Sequence, residues 1–360
     1  MAKTQVNVLI VGAHASQHVF GTTLLDESLP AEVRITFYDR RPMEPRPQLT
    51  TLVRGVQQGR VRFVTKLPVR EWFDVVIVAV SSDQHVPALQ ELLHKLQQLP
   101  TLFVLEKPLG VSIRDLLWYE SESYQLQRRT IVNEPFHIMN SVDQLLRLAA
   151  VQPVAEVNLW SSKMRGVVND HGGLKIFAIE FPHLFGAACR FAGRVLDVAD
   201  CQVNNYYQHL DGRKNDDAIY VQAMANGVMY TIAQGLGSFT IGRNGALAVH
   251  HNPPRTRRIR LNFVNGASAE LDLEPAFEGG GSRQSPAGVL CSYDSCGNLQ
   301  DTTLIPDNPR RQFVETILQR VLEPSTPLPV GVGLHESLAR NKALLNLRYS
   351  ATQIVGMRIL

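Results

Sequence analysis

Apolar residues in the first third of the chain fall into short runs of strand length. They span Gln5 to Val11, Val33 to Tyr38, Arg60 to Val64, Asp74 to Val80, Leu102 to Leu105 and Arg129 to Val132. Stretches of helical spacing lie between them. Gln84 to Leu99 sets Leu89, Leu92, Leu93 and Leu96 on one stripe, and Ile113 to Gln127 follows the next run. Strands alternating with helices imply right-handed crossovers and a parallel sheet covered on both faces. The pattern predicts an α/β unit over residues 1–135. Ligands bind such sheets at the carboxyl ends of the strands. Here those ends carry Gly12, Asp39, Ser81-Ser82-Asp83, Glu106-Lys107-Pro108 and Asn133.

From about residue 136 the period changes. After one helix, strand-like segments dominate: Val154 to Trp160, Val195 to Tyr207, Ala218 to Met224, Met229 to Gln234 and Arg258 to Val264. Asn226-Gly227 and Asn265-Gly266 are hairpin signals. Residues 136–360 are therefore expected to form an α+β domain with a large, mainly antiparallel sheet. Two amphipathic helices, Arg311 to Leu322 and His335 to Tyr349, close the chain. The stretch from Phe277 to Pro286 has no apolar period and is expected to be a loop.

Composition narrows the class. At 360 residues, 44% hydrophobic and 19% charged, the chain matches an ordinary globular enzyme of two domains. A net charge of +3 gives no reason to expect a nucleic-acid partner. The basic clusters Arg255-Thr256-Arg257-Arg258 and Asn308-Pro309-Arg310-Arg311 lack interleaved aromatics, so both read as solvated loops. Four cysteines do not make a disulfide framework, and the Cys291 to Cys296 spacing fits no common zinc pattern. No metal is expected. The first strand begins almost at the amino terminus and no apolar stretch approaches the roughly 20 residues of a membrane span, so a cytoplasmic protein without a membrane partner is expected.

The content of the strand ends resembles a known family. A Gly turn, an acid after the second strand, Val-Ile-Val-Ala-Val-Ser-Ser at the fourth, Glu106-Lys107-Pro108 after the fifth and Asn133 after the sixth resemble the Gfo/Idh/MocA oxidoreductases, which include glucose-fructose oxidoreductase and inositol dehydrogenase. The resemblance covers most of the chain and is strongest over residues 5–135. It recurs where Gly172-Gly173 precedes a helical segment that carries His183 and closes at Gly193. It implies an N-terminal Rossmann dinucleotide-binding domain. It also implies NAD or NADP as cofactor and a small-molecule substrate, a sugar or cyclitol derivative. The second domain's sheet would carry the substrate helix on one face and pair subunits through the other, giving a homodimer or homotetramer.

The usual dinucleotide fingerprint, G-x-G-x-x-G, uses three glycines for a tight turn, close approach to the pyrophosphate and helix packing. This chain reads Gly12-Ala13-His14-Ala15-Ser16-Gln17 and keeps only the first. Ser16 and the free amides of the first helical turn, including that of Ala15, remain as phosphate donors, and a protonated His14 can pair with phosphate. Asp39 suits the ribose hydroxyls of NAD, whereas Arg40 and Arg41 suit the 2'-phosphate of NADP; NAD is the first choice. Ser81, Ser82 and His85 resemble the family's loop over the cofactor, and such residues also cap the following helix.

Hydride transfer to or from an alcohol carbon needs a group that takes the hydroxyl proton and donors that polarise the oxygen. By resemblance, the Lys107 ammonium points to the reacting hydroxyl, Glu106 orients the nicotinamide side, and Pro108 fixes the turn through a cis peptide bond. Partial desolvation among apolar strand ends lowers the pKa of such a lysine. His183 is the acid/base candidate, since imidazole titrates near neutrality. The family places an Asp four residues before this His; here that position is Ile179, and Glu180, on roughly the same helix face, is the substitute. Asp170 and His171 are reserve candidates, and Asn133, Glu134, His137, Lys163 and Arg165 are further cleft positions. The expected activity is a nicotinamide-dependent oxidoreductase. Reduction of an imine or enone is one alternative, and a dinucleotide-binding regulator without turnover is the other, favoured by the replaced glycines and Ile179.

Overall fold

The computed structural model describes residues 3–122, 124–163, 176–179, 181–208, 217–236, 239–241, 247–249, 256–273 and 287–355. The chain divides into two compact units, Met1–Pro135 with Pro309–Leu338, and Phe136–Asn308 with Ala339–Leu360.

The first unit is built on six parallel strands: β1 (Thr4–Val11), β2 (Ala31–Tyr38), β3 (Val61–Val64), β4 (Val75–Val78), β5 (Leu102–Leu105) and β6 (Thr130–Val132). Their order is β3-β2-β1-β4-β5-β6. This is the doubly wound Rossmann order, in which the winding reverses between β1 and β4. Every residue of β4 and β5 is buried, as both faces of a covered parallel sheet require. One helical stretch follows β1: α1 (Ala13–Ser16), a π turn (Gln17–Gly21) and α2 (Thr22–Leu24). The other helices are α3 (Thr50–Gln57), α4 (His85–Lys95), α5 (Ile113–Ser121) and α6 (Tyr124–Arg128). The helix expected over 113–127 is thus two, because Glu122 leaves helical geometry at ψ 159°. α5 opens on a capping box. Ser112 Oγ accepts from the Asp115 amide at 3.2 Å, and Asp115 accepts from the Ser112 amide at 2.9 Å.

The second unit holds α7 (Asn140–Val151), β7 (Val154–Lys163), α8 (Ile176–Ile179), α9 (Phe181–Ala192), β8 (Cys201–Gln208), β9 (Asp217–Ala225) and β10 (Val228–Leu236). A small pair, β11 (Phe239–Ile241) and β12 (Leu247–Val249), precedes β13 (Thr256–Phe263), β14 (Ser268–Asp272), β15 (Ala287–Tyr293) and β16 (Leu299–Pro306). The large sheet runs β16-β15-β14-β13-β7-β10-β9-β8, and only the β7 and β10 pair is parallel. Its inner face is apolar in rows, Val157 and Leu159 beside Tyr230 and Ile232 and beside Leu261 and Ile259, and α9 packs on β7 and β10. The α+β expectation holds. α10 (Pro309–Leu322) buries Phe313, Val314, Ile317 and Leu318, and α11 (Leu334–Val355) ends the described chain.

Local chemistry explains where the elements depart from the pattern. The strand expected from Val195 starts only at Cys201, because Asp197 accepts from the Ala199 amide at 2.8 Å and Asp200 from the Asp197 amide at 3.0 Å, closing a turn. Both hairpins form. Asn226 and Gly227 take φ of 54° and 76° between β9 and β10, and Gly266 turns β13 into β14. The basic run at 255–258 is not a solvated loop from Thr256 onward. Arg258 reaches Asp272 at 2.9 Å and Glu270 at 3.4 Å, so its charge is matched by acids on the neighbouring strand. Pro309 likewise starts α10, where a missing amide hydrogen costs nothing, and Arg311 pairs with Glu315 at 2.8 Å and Asp26 at 3.2 Å.

No helix among the described residues is long and apolar enough to cross a membrane, and none of their acidic, His or Cys side chains group as a metal site. All four cysteines are free. The stretch from Phe277 to Pro286 lies outside the described residues.

Gly12 has φ 94°, and a β-carbon there would sit 2.6 Å from the Ala79 carbonyl oxygen. Gly12→Ala is expected to destabilise the protein by about 3 kcal/mol, combining left-handed strain with that overlap. Urea unfolding followed by circular dichroism checks it, and a variant within 0.5 kcal/mol or so of wild type would contradict the stated packing.

Candidate active site

Strand register brings the polar residues of the first unit into one line. Val11 pairs with both Tyr38 and Val78, Val78 with Leu105, and Leu105 with Val132. The next residue of each strand is therefore Gly12, Asp39, Ala79, Glu106 or Asn133, all on the carboxyl edge of one sheet. Positions scattered over 120 residues become neighbours because parallel strands advance in step.

At the β1 end the turn is held by its own polar groups. The Gly12 amide donates to Tyr38 O at 2.9 Å, and the buried Ser16 hydroxyl donates to Gly12 O. The Asp39 carboxylate accepts from the Ala13 amide at 3.2 Å and the Arg41 amide at 3.1 Å. Each carboxylate oxygen keeps a second lone pair. His14 is exposed, and the backbone of Ala15 continues α1. Arg40 is turned away into an ion pair with Glu91 at 2.8 Å, and Glu91 also accepts from Lys95 at 2.8 Å; those two bonds hold the Glu91 carboxyl below its ordinary pKa. Arg41 is exposed.

The β4 end is a closed turn. His85 is fully buried with Nε2 3.1 Å from Val80 O, Ser82 is buried, and Ser81 bonds Asp83, whose pKa is lowered first by Gln84 and then by Ser81.

At the β5 end the Lys107–Pro108 peptide is cis. The chain after it is fastened by Tyr119, which donates to Leu109 O at 3.2 Å, and by Asp115, which accepts from the Val111 amide at 3.0 Å. Glu106 and Lys107 are half-buried. Asn133 Nδ2 donates to Glu106 Oε1 at 2.8 Å, tying the ends of β5 and β6. Burial raises the Glu106 pKa; the Asn133 bond and the Lys107 charge oppose it, and Glu134 reinforces it.

In the second unit the helix pair carries His183. α8 ends at Ile179 and Pro182 lies in the first turn of α9, where a proline is tolerated. Aromatic rings pin the helices to the sheet: Phe177 meets Tyr206 at 5.8 Å and Phe181 at 5.6 Å, and Phe181 meets Phe185 at 6.0 Å. Burying Phe181 and Phe185 contributes on the order of 2–3 kcal/mol each. Half-buried His183 then has its ring 5.5 Å from that of Phe136. Phe136 is fixed through its carbonyl, which accepts from Arg190 at 2.9 Å, while Arg190 also pairs with Asp143. The Arg257 guanidinium lies 5.2 Å from the same Phe136 ring. Glu180, Arg165, Asp170 and His171 lie outside the described residues, as does the side chain of Lys163. Glu134 and His137 are buried.

Two contributors carried no readable signal. Gln17, fully buried where the third glycine of the fingerprint would fall, donates to Glu44 O at 3.1 Å and accepts from the Arg46 amide at 3.0 Å. It ties the first helix to the segment beyond Asp39. Arg257 belonged to a run that looked like loop.

Solved structures share this architecture over nearly the whole chain. A dehydrogenase from Chromobacterium violaceum matches with a TM-score of 0.68 at 13% identity, covering 98% of this chain and 97% of that one. A 3-ketoreductase from Actinomadura kijaniata, in complex with TDP-benzene and NADP, matches at 0.67 and 13% over 96% and 97%. A myo-inositol dehydrogenase from Corynebacterium glutamicum matches at 0.66 and 12% over 97% of each. At these identities it is the fold that is shared, a Rossmann unit followed by a mixed, mostly antiparallel sheet. No family sequence model and no curated protein matches the sequence.

Because the folded Glu106 pKa lies above its unfolded value, the stability tied to that carboxyl is complete below the unfolded pKa and lost as pH rises through the folded one. Glu106→Gln keeps the acceptor for Asn133 and removes the charge. It is expected to melt close to wild type near pH 4 and above it at pH 8. A gap that stays constant across that pH range would show the carboxyl to be unperturbed.

Proposed function

We propose that the protein is a nicotinamide-dependent oxidoreductase of the Gfo/Idh/MocA type, transferring a hydride to or from a sugar, a cyclitol or a derivative of one. The observation that carries this reading is the row at the carboxyl edge: Gly12, Asp39, Ala79, Glu106 and Asn133 in register, with Lys107 and its cis proline next in line. The donor set fits a dinucleotide. Gly12 is held where only glycine packs, at the switch point of the sheet, and Asp39 stands after β2 with lone pairs to spare. A bound nicotinamide would accept or supply the hydride.

The chain's own residues would do the rest. The Lys107 ammonium would donate to the reacting oxygen and stabilise negative charge on it, and the His183 imidazole would take or return the hydroxyl proton. Glu106, held by Asn133, would orient the nicotinamide side. Glu180 would assist His183. For the dinucleotide, Asp39 and the commitment of Arg40 to Glu91 support NAD, because a 2'-phosphate would meet the carboxylate first. The relatives of known structure include a 3-ketoreductase solved with NADP, which supports NADP as the alternative, with exposed Arg41 as its partner. The same reading includes a cytoplasmic homodimer or homotetramer, paired through the outer sheet face where Met224 and Met229 stand exposed opposite one another.

The test is a fluorescence titration with NADH and NADPH, followed by an absorbance screen of sugars and cyclitols. Lys107→Ala is expected to bind dinucleotide within about threefold of wild type while turnover falls at least 100-fold, the scale of a lost polarising donor. Wild-type protein that binds dinucleotide and turns over nothing in a broad screen would favour the regulator.

A further inference from the structure

The inner face of the second unit's large sheet is apolar until its last complete row. There Gln234 on β10, Ser161 on β7 and Arg257 on β13 stand side by side, in register across three adjacent strands. The preceding row in the same strands is Ile232, Leu159 and Ile259, all fully buried. Gln234 is also fully buried. Its Nε2 donates to Gly235 O at 2.7 Å, and its Oε1 has no hydrogen-bond partner. An enclosed amide oxygen with nothing to accept destabilises a fold, and an apolar side chain of similar length would avoid that cost.

One member of the row shares an aromatic neighbour with the imidazole. Arg257 places its guanidinium carbon 5.2 Å from the Phe136 ring centroid, and His183 places its ring 5.5 Å from the same centroid. α9, which presents His183, packs on β7 and β10, the strands that hold Ser161 and Gln234. A polar row that interrupts an apolar face on the strands where the helix of the proposed acid/base packs, with one acceptor left over, has the chemistry of a recognition subsite.

We propose that Gln234 determines substrate specificity by accepting, at Oε1, a hydrogen bond from a hydroxyl of the polyol substrate. Ser161 and Arg257 flank it as the neighbouring polar groups. This inference rests on the oxidoreductase reading and adds to it the side chain that reads a hydroxyl away from the reacting carbon. A site built to bond a hydroxyl discriminates strongly against an analogue that lacks it, since its buried group is then left unpaired.

Gln234→Met keeps length and volume and removes the amide. With the full chain free of ligand, the variant is expected to melt close to the wild-type temperature, because the bond to the Gly235 carbonyl is lost together with an oxygen that has no partner in the fold. With NAD and myo-inositol or D-glucose, whichever wild type turns over better, kcat/KM is expected to fall 10- to 100-fold. Most of that loss should appear in KM, with NADH affinity unchanged. A clear drop in melting temperature of the free variant would show that the amide is satisfied within the fold and would overturn the proposal. So would an unaltered kcat/KM. Failure of the oxidoreductase reading looks different: wild type itself then turns over neither polyol nor any other in the screen, and both proposals fall together.

Discussion

The first unit depends on one close approach. Gly12 leaves β1 with φ 94° and lies so tightly against the Ala79 carbonyl that no β-carbon fits. That contact sets the distance between the end of β1 and the end of β4, the two strands between which the winding reverses. Once it is fixed, parallel register carries the same level outward to Asp39 on one side and to Glu106 and Asn133 on the other. The 2.8 Å bond from Asn133 to Glu106 locks the far end of the row, as the amide bonds to Asp39 lock the near end.

Only the first fingerprint glycine survives, and the structure divides the work of the other two. Helix packing moves one turn along, to Gly21. A β-carbon there would sit 2.9 Å from the Phe37 ring, so the helix lies on β2 as closely as a third glycine would allow. The π turn of Gln17–Gly21 accommodates that shift, a use seen for such bulges at functional positions. Gln17 then spends both ends of its amide on the backbone at Glu44 and Arg46. A position that usually has no side chain thus fastens the segment beyond Asp39.

What was legible in the sequence follows from what physical signal each element emits. The six parallel strands were readable because a covered sheet needs unbroken apolar runs, and the two Asn-Gly hairpins because their turns need positive φ. Glu106-Lys107-Pro108 stood out only through its place at a strand end and the family resemblance, since a Glu-Lys pair before a proline is by itself more often a solvated turn. The strands β15 and β16 were not readable. β16 is exposed along nearly its whole length, so it carries no alternation to detect. Arg257 and Arg258 were misread for a related reason. Basic residues in a row look solvated until acids on the next strand, or an aromatic ring, are known to meet them. Gln17 and Gln234 emit no signal at all, since what matters is the enclosure around an ordinary amide.

The two amides also show how a fold separates holding from reading. Gln17 has every polar atom of its side chain bonded to backbone, which rigidifies a turn and leaves nothing for a ligand. Gln234 bonds once to its own chain and keeps an oxygen in reserve. Equal burial with unequal satisfaction has different energetic consequences: replacing the first by an apolar residue takes a partner from two backbone groups, while replacing the second gives up one bond to the Gly235 carbonyl and removes an oxygen that had no partner. Residues of the second kind are tolerated in a core only where something offsets them, and in this chain that residue lies on β10, one of the two strands on which α9, the helix of His183, packs.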